Sequence, residues 1–298
     1  MEAYTKTPLI YADQAALLEE RGLKISSKGD AILFLQHVNY YRFSAYCIPF
    51  QSSRDVFLPG SSFEKIVELY RLDEALRNAM LAALSPIEVF LRTRIVYELS
   101  HGWGPFAHYD TRIFRSHSNH DEWIISLEEE VSRAKETFIE HYRTKYTGFP
   151  KLPIWMAVEI MSMGSLSHLY QGLLPDPQRR ICSVLGIHHE VLKNWMHVIT
   201  YLRNVCAHHG RLWNRELAIK PQIPSKDTKW AALGLDNGHL FADAVVLEWI
   251  CRKTILPIST IGSVHEIMRG ISAIDARFGG MIGVPPGRTI EMCWERLL

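Results

Sequence analysis

Apolar residues fall three and four apart without a break over residues 63–99, and this rhythm limits what the chain can become more than any other feature. Phe63, Ile66, Leu69, Tyr70, Leu72, Leu76, Met80 and Leu84 share one stripe, and Ile87, Phe90, Leu91, Ile95 and Leu99 extend it. A helix turns by about 100° per residue, so this spacing gathers apolar side chains on one face, whereas a half-buried strand needs strict alternation. Pro86 lies within the stripe. It is expected to start a second helix or kink the first, because proline lacks the N–H of the helical ladder. Gly102-Trp103-Gly104-Pro105 marks the end.

The same period fills most of the remaining chain. Ala15, Leu17 and Leu18 precede Arg21-Gly22, a charged last turn followed by a terminating glycine. Asp30 is placed to cap a helix carrying Ile32, Leu33, Leu35, Val38 and Tyr41. Residues 51–62 read as a loop, as does the His-rich stretch 111–121. Residues 123–146 read as one amphipathic helix. Pro153 opens another, Gly164-Ser165 permits a break, and Pro175-Asp176-Pro177 makes a turn. Further helices are expected over 178–185 and 190–209, after Phe241 and after Ser263, before an irregular tail over 279–288. Few segments alternate with period two and no fixed repeat is found, so the fold class is all-α. No linker divides the chain. One domain over 1–298 is expected, with an N-terminal helical segment (1–60), a helical core (61–220) and a C-terminal helical extension (221–298).

Composition narrows the class. The chain has 298 residues, 47% hydrophobic and 22% charged, which suits a globular protein that buries its core without staples. The net charge of +1 removes bulk electrostatics as a means of holding a polyanion, so any nucleic-acid site must come from local clustering. Five cysteines, at 47, 182, 206, 251 and 293, form no Cys-x-x-Cys and are odd in number. They read as reduced core thiols of a cytoplasmic protein. The opening Met1-Glu2-Ala3-Tyr4-Thr5-Lys6 shows no apolar leader run. No stretch approaches the ~18 apolar residues of a membrane span, so no membrane partner is expected.

Chemistry concentrates in residues 190–215. Val191, Trp195, Val198, Leu202 and Cys206 form one helical stripe that should face a core, while His197, Tyr201, Asn204 and His208 share another face. Gly210 ends or kinks the helix. Between His197 and Lys220 stand four basic residues, Arg203, Arg211, Arg215 and Lys220, against one acid, Glu216, with histidines at 197, 208 and 209. This is the local basic patch that the overall charge hides. Arg203 and His208 lie five residues apart, which puts their Cα–Cβ vectors about 140° apart on an ideal helix. A long arginine can still converge with the imidazole across a helix end or a subunit interface. The residue types suit RNA cleavage without a metal. The 2′-OH is itself the nucleophile, histidine can give or take a proton near pH ~6.5, and arginine offers a fork that matches phosphate. Asn204 can orient the histidine or bond a phosphate oxygen.

Spacing alone is weak support. Arg94/His101, Arg112/His117, Arg115/His120 and Arg203/His209 also have four to six residues between an arginine and a histidine. The wider context is stronger. The segment Tyr201-Leu-Arg-Asn-Val-Cys-Ala-His-His-Gly-Arg-Leu-Trp-Asn-Arg215 resembles the most recognisable block of the bacterial Abi (abortive infection) family. So do Val38-Asn-Tyr-Tyr-Arg-Phe-Ser-Ala-Tyr46, Leu152-Pro-Ile-Trp-Met-Ala-Val-Glu-Ile-Met-Ser-Met-Gly-Ser-Leu-Ser167, and Ile87-Glu-Val-Phe-Leu-Arg-Thr-Arg94 with His101-Gly102. These blocks stand in the family's order and span nearly the whole chain. The resemblance implies the HEPN superfamily: helical bundles with an Arg-x(4–6)-His motif, often dimeric, many of them metal-independent endoribonucleases. Carried onto this chain, the motif falls on Arg203, Asn204 and His208. His209 is the alternative at the longer spacing. Arg94 and His101 are a supporting set, and Arg211, Arg215 and Lys220 are RNA contacts.

The resemblance implies a phage-defence toxin that cuts RNA as a homodimer, needs no cofactor and is restrained by an antitoxin protein or regulatory RNA. The alternative is a non-catalytic RNA-binding or sensor protein of the same fold. Tyr40, Tyr41, Trp155 and Trp213 could stack on bases, but aromatics at helical spacing are expected in the core, with Tyr41-Arg42 a structural pair. Glu88, Arg92 and Arg94 read as a salt-bridge cluster between helices, and Glu159 as a packing carboxylate. His188-His189 and His208-His209 do not make a metal site, because adjacent helical residues point apart and no acid or thiol stands at ligand spacing.

Overall fold

The computed structural model describes every residue except 1, 2, 4, 6, 225, 255, 257, 258 and 296–298, and no side chain at 259, 260 or 294. Met1, Glu2, Tyr4 and Lys6 of the opening segment therefore lie outside the described residues. The chain begins with α1 (Tyr11–Glu20), α2 (Lys28–His37) and α3 (Tyr40–Cys47). Gly22, at φ +93°, follows the end of α1, as its position after a charged residue predicts. Ser27, not Asp30, caps α2: the serine hydroxyl accepts the Asp30 N–H at 3.3 Å, which puts the aspartate in the first turn. Residues 51–62 are more than a loop. The strands β1 (Gln51–Ser53) and β2 (Val56–Phe57) form a small antiparallel hairpin, with Asp55 at φ +66° in its turn. It is the only sheet among the described residues.

Next comes α4 (Phe63–Trp103), 41 residues long and so about 60 Å from end to end. Ser62 caps it by accepting the Lys65 N–H, and Gly104 at φ +86° closes it. The helix continues through Pro86 and does not restart there. Ala82, whose carbonyl loses its partner to the proline, lies on the exposed face, where water can replace the missing bond. The apolar stripe of α4 supplies thirteen buried positions, and Asp73 and Arg77 are among them.

The expected helix over 123–146 is two, α5 (His120–Arg133) and α6 (Thr137–Lys145), parted where Ala134 and Glu136 turn extended. Then follow α7 (Ile154–Ile160), α8 (Met163–Gly172), α9 (Pro175–Cys182) and α10 (His189–Ala207). The break between α7 and α8 comes at Ser162, which caps α8, just before Gly164-Ser165. Pro175 starts α9 instead of making a turn, since a first-turn N–H has no helical partner to lose. The five stripe residues Val191, Trp195, Val198, Leu202 and Cys206 are all buried.

The last part holds α11 (Thr228–Ala231), α12 (Leu240–Thr254), α13 (Ser259–Ile274), α14 (Phe278–Ile282) and α15 (Ile290–Glu295), so the tail over 279–288 is partly helical. Far from being peripheral, α12 is buried on nearly every face and packs on α4, as does α13 along much of its length. Phe278 of α14 touches both Phe50 and Trp213. All five cysteines are buried; burial pushes Cys47 and Cys206 up to about 12 and Cys251 to about 11. Among the described residues no helix is long and apolar enough to cross a membrane.

Candidate functional site

The order of partners along α4 fixes how α10 lies on it. Arg94 reaches the Arg180 carbonyl of α9, Glu88 faces Arg203, and Asp73 and Arg77 lie beside Cys206 and the residues after it. Hence α10 runs antiparallel to α4, and its C-terminal end points toward the first third of the long helix.

That end closes in a hydrogen-bonded turn. The His209 N–H donates to the Cys206 carbonyl at 3.1 Å and the Gly210 N–H to the Val205 carbonyl at 2.8 Å, the pair that defines a Schellman motif. The left-handed residue in such a turn is usually glycine, yet here it is His209, at φ +55°. Gly210 is needed one position later for a different reason: a Cβ there would stand 3.0 Å from Val205 Cγ1 and 3.1 Å from its carbonyl oxygen. His208, with φ −91° and ψ 18°, caps the helix. Arg203, Asn204, His208 and His209 are all exposed on this one terminus. The Arg203 guanidinium reaches Asn204 Oδ1 at 3.5 Å.

Behind the turn the backbone is held from three directions. Arg42 of α3 donates to the His209 carbonyl at 2.6 Å, and Arg211 donates to the Ala45 carbonyl at 2.6 Å. The third anchor is Asp73, fully buried in α4. Its carboxylate accepts from Tyr46 Oη at 2.6 Å, Arg77 Nη1 at 2.6 Å, the Leu212 N–H at 3.1 Å and the Trp213 N–H at 2.8 Å. Burial pushes this carboxyl up from its usual range, and Tyr46, Arg77 and the two amides pull it back. Burial and the neighbouring Asp73 charge both raise the Tyr46 phenol.

The sequence-predicted residues divide accordingly. Arg203, Asn204, His208 and His209 come together and face solvent. Arg215 folds back, its Nη1 within 3.4 Å of where a Gly210 Cβ would stand. Arg211, an expected RNA contact, is half-buried and donates to the Ala45 carbonyl, which makes it a clamp on the turn. Lys220 pairs with Glu216 at 3.2 Å, and its carbonyl accepts from Asn194, fourteen residues and so about 21 Å along α10 from His208. Arg94 and His101 lie elsewhere too. Arg94 pairs with Glu98 at 2.6 Å, about 9 Å along α4 from the Glu88 that faces Arg203, and His101 Nδ1 bonds the Tyr97 carbonyl at 2.8 Å, about 20 Å from it. The expected Glu88–Arg92–Arg94 cluster is instead divided. Arg92 donates to the carbonyls of Val158 and Met161, tying α4 to the end of α7, while burial pushes the Glu88 carboxyl up against the pull of Arg203 and Arg92. Trp213 is core as expected, but Tyr41 (86% exposed) and Trp155 (48%) are not. Of the Tyr41-Arg42 pair, only Arg42 has a structural role.

Sequence reasoning missed Asp73 and Arg77. The available signal was two charges four apart on an otherwise apolar stripe, a spacing at which they can neutralise each other.

A family model described as Abi-like protein matches residues 33–214, more than half the chain. The chain belongs to the Abi-like family. The match runs from α2 through the anchored residues Leu212 and Trp213, so it takes in Arg42, Asp73 and the whole Arg203–His208 terminus. Membership gives the protein an abortive-infection role, in defence against phage. No curated protein and no solved structure matches this Abi-like chain. Among the described residues, no three His, Cys, Asp or Glu side chains are grouped as metal ligands.

Proposed function

We propose that this Abi-like protein is an endoribonuclease of HEPN type that cleaves RNA by 2′-OH transphosphorylation without a metal, acting as a homodimer. The observation that carries the reading is the division of labour around the α10 terminus. Arg42, Arg211 and Asp73 grip the backbone, while Arg203, Asn204 and His208 are left exposed. A rigid turn presenting free side chains is what a preorganised site requires. One imidazole takes the proton of the 2′-OH, the 2′-oxygen attacks phosphorus, and the bond to the 5′-oxygen breaks as an acid protonates it. Arg203 neutralises the charge on the phosphorane.

One chain offers one histidine at the motif position, His208, and the reaction uses a base and an acid. A two-fold dimer with the 203–208 segments near its axis supplies both and brings two Arg203 side chains to one phosphate. Restraint by an antitoxin protein or a regulatory RNA belongs to the same proposal.

The test is His208→Ala, which changes an exposed side chain and leaves the Arg42, Arg211 and Asp73 anchors in place. Cleavage should fall about 10²–10⁴-fold with an unchanged circular dichroism spectrum. The wild-type activity should survive EDTA and leave 2′,3′-cyclic phosphate ends. Undiminished cleavage by His208→Ala, or 5′-phosphate products, overturns the assignment.

A further inference from the structure

One cavity among the described residues lies apart from the exposed His208 and His209. It lies between α2 and the start of α4 and encloses about 1070 Å³. That exceeds the ~300–1,000 Å³ typical of small-molecule pockets. Its floor is apolar: Leu33, Phe34, Val67, Tyr70 and Leu72. Leu33 is 56% exposed, so the floor opens to solvent as a trough. Its rim is acidic. Asp30, Glu64, Glu68 and Glu74 are all exposed, with Arg71 and His37 among them. None of the four carboxylates has an ion-pair partner within 4.0 Å among the described residues; Glu64 accepts the Ser26 N–H at 3.0 Å.

We propose that this trough docks a basic amphipathic helix of a partner protein, and that its occupancy is relayed to the α10 terminus. An apolar floor with a one-sided charged rim fits a helix whose apolar residues at i, i+3, i+4 and i+7 enter the trough and whose lysines or arginines meet the rim. The carboxylates repel an RNA backbone, which sets the trough apart from the basic patch around Arg203. Tyr70 provides the relay. Its ring is part of the floor, its hydroxyl accepts from Arg42 Nε at 3.3 Å, and the Arg42 guanidinium lies 5.6 Å from the ring centroid. The same guanidinium holds the His209 carbonyl at 2.6 Å. A side chain pressing on Tyr70 is thus two contacts from the left-handed residue that sets His208. The regulatory half of this inference rests on His208 being catalytic; the docking half does not.

The test uses the full chain and needs no RNA cleavage. The protein is panned against displayed amphipathic helices of randomised surface charge, and enriched peptides are measured by fluorescence anisotropy. The expected winners are net basic, and their affinity falls at least tenfold with Leu33→Asp and with the double change Glu68→Lys and Glu74→Lys, all at exposed positions. Amide hydrogen exchange at Gly210 should change when such a peptide binds, and this change should shrink in Tyr70→Phe while the affinity stays the same. Enrichment of acidic helices, no enrichment, or affinities indifferent to both sets of changes overturns the docking site. Tight, rim-dependent binding with unaltered Gly210 exchange overturns the relay. A chain that never cuts RNA would still give either answer, so failure here and failure of the nuclease reading are separate results.

Discussion

Removing the Asp73 carboxylate tests the idea that one buried group holds the segment after His208. Asp73 is 0% exposed and Arg77 3%, and four donors converge on the carboxylate. In Asp73→Ala, Arg77 becomes an uncompensated buried cation, a loss of about 3–5 kcal/mol. The Tyr46 hydroxyl and the Leu212 and Trp213 amides lose their acceptor as well, each at about 1–3 kcal/mol if left dry. The vacated space admits water to some of these groups, so the net loss should be about 4–6 kcal/mol, a large part of the ~5–15 kcal/mol that stabilises a folded domain. Pairing the change with Arg77→Met removes the stranded charge. The double variant should therefore lose at least about 2 kcal/mol less than the sum of the single losses. Urea unfolding followed by circular dichroism at neutral pH measures all three, with the denaturant slope as a control on the unfolded state. A loss below about 2 kcal/mol for Asp73→Ala, or strict additivity of the pair, would show that the carboxylate is not the anchor described.

Two further outcomes follow from single residues. His209→Gly relieves a left-handed residue and should raise stability by about 1 kcal/mol in the same urea assay, while leaving cleavage intact if His208 is the catalytic imidazole; a lower midpoint refutes the first part and lost cleavage the second. Burial holds the His108 imidazole down at about 3 and that of His265 at about 4. Both stay neutral in the fold and protonate once unfolded, so their contribution is full above pH ~6.5 and is lost as pH falls toward the folded values, each approaching a slope of ~1.4 kcal/mol per pH unit. His108→Leu should flatten the acid limb of a stability–pH curve, and an unchanged slope would contradict the burial argument.

Local rules reached the elements whose residues bond mainly to their own neighbours. The α4 and α10 stripes and the Gly22 stop were legible because periodicity and turn chemistry act within a few residues. A second helix does not start at Pro86: the hydrogen bond that the proline removes belongs to Ala82, which is exposed, so water can replace it. The break at residues 134–136 carries no glycine or proline to announce it. The exposed motif was legible in residue types, but the tasks of its neighbours were not. Arg42 and Arg211 act on backbone carbonyls more than 160 positions away in sequence, and a carbonyl leaves no mark on the residue that carries it. Tyr41 and Trp155 read as core for a related reason: an aromatic fits a helical stripe whether or not another helix covers it.

The order in which the chain is made adds a consequence to the packing of Trp213. That indole is pinned through its amide by Asp73, but its ring lies against Phe278, 4.8 Å between centroids, and Arg277 reaches back to the Pro49 carbonyl. On the ribosome, the residues of the α10 terminus are synthesised more than sixty positions before these partners. Until α12 and α13 emerge, α4 also lacks their packing along its length. The exposed histidines thus reach their final setting only after these later helices have been made. A chain cut short by a premature stop before Phe278 should be cleared as a misfolded product and not persist as a partly competent one.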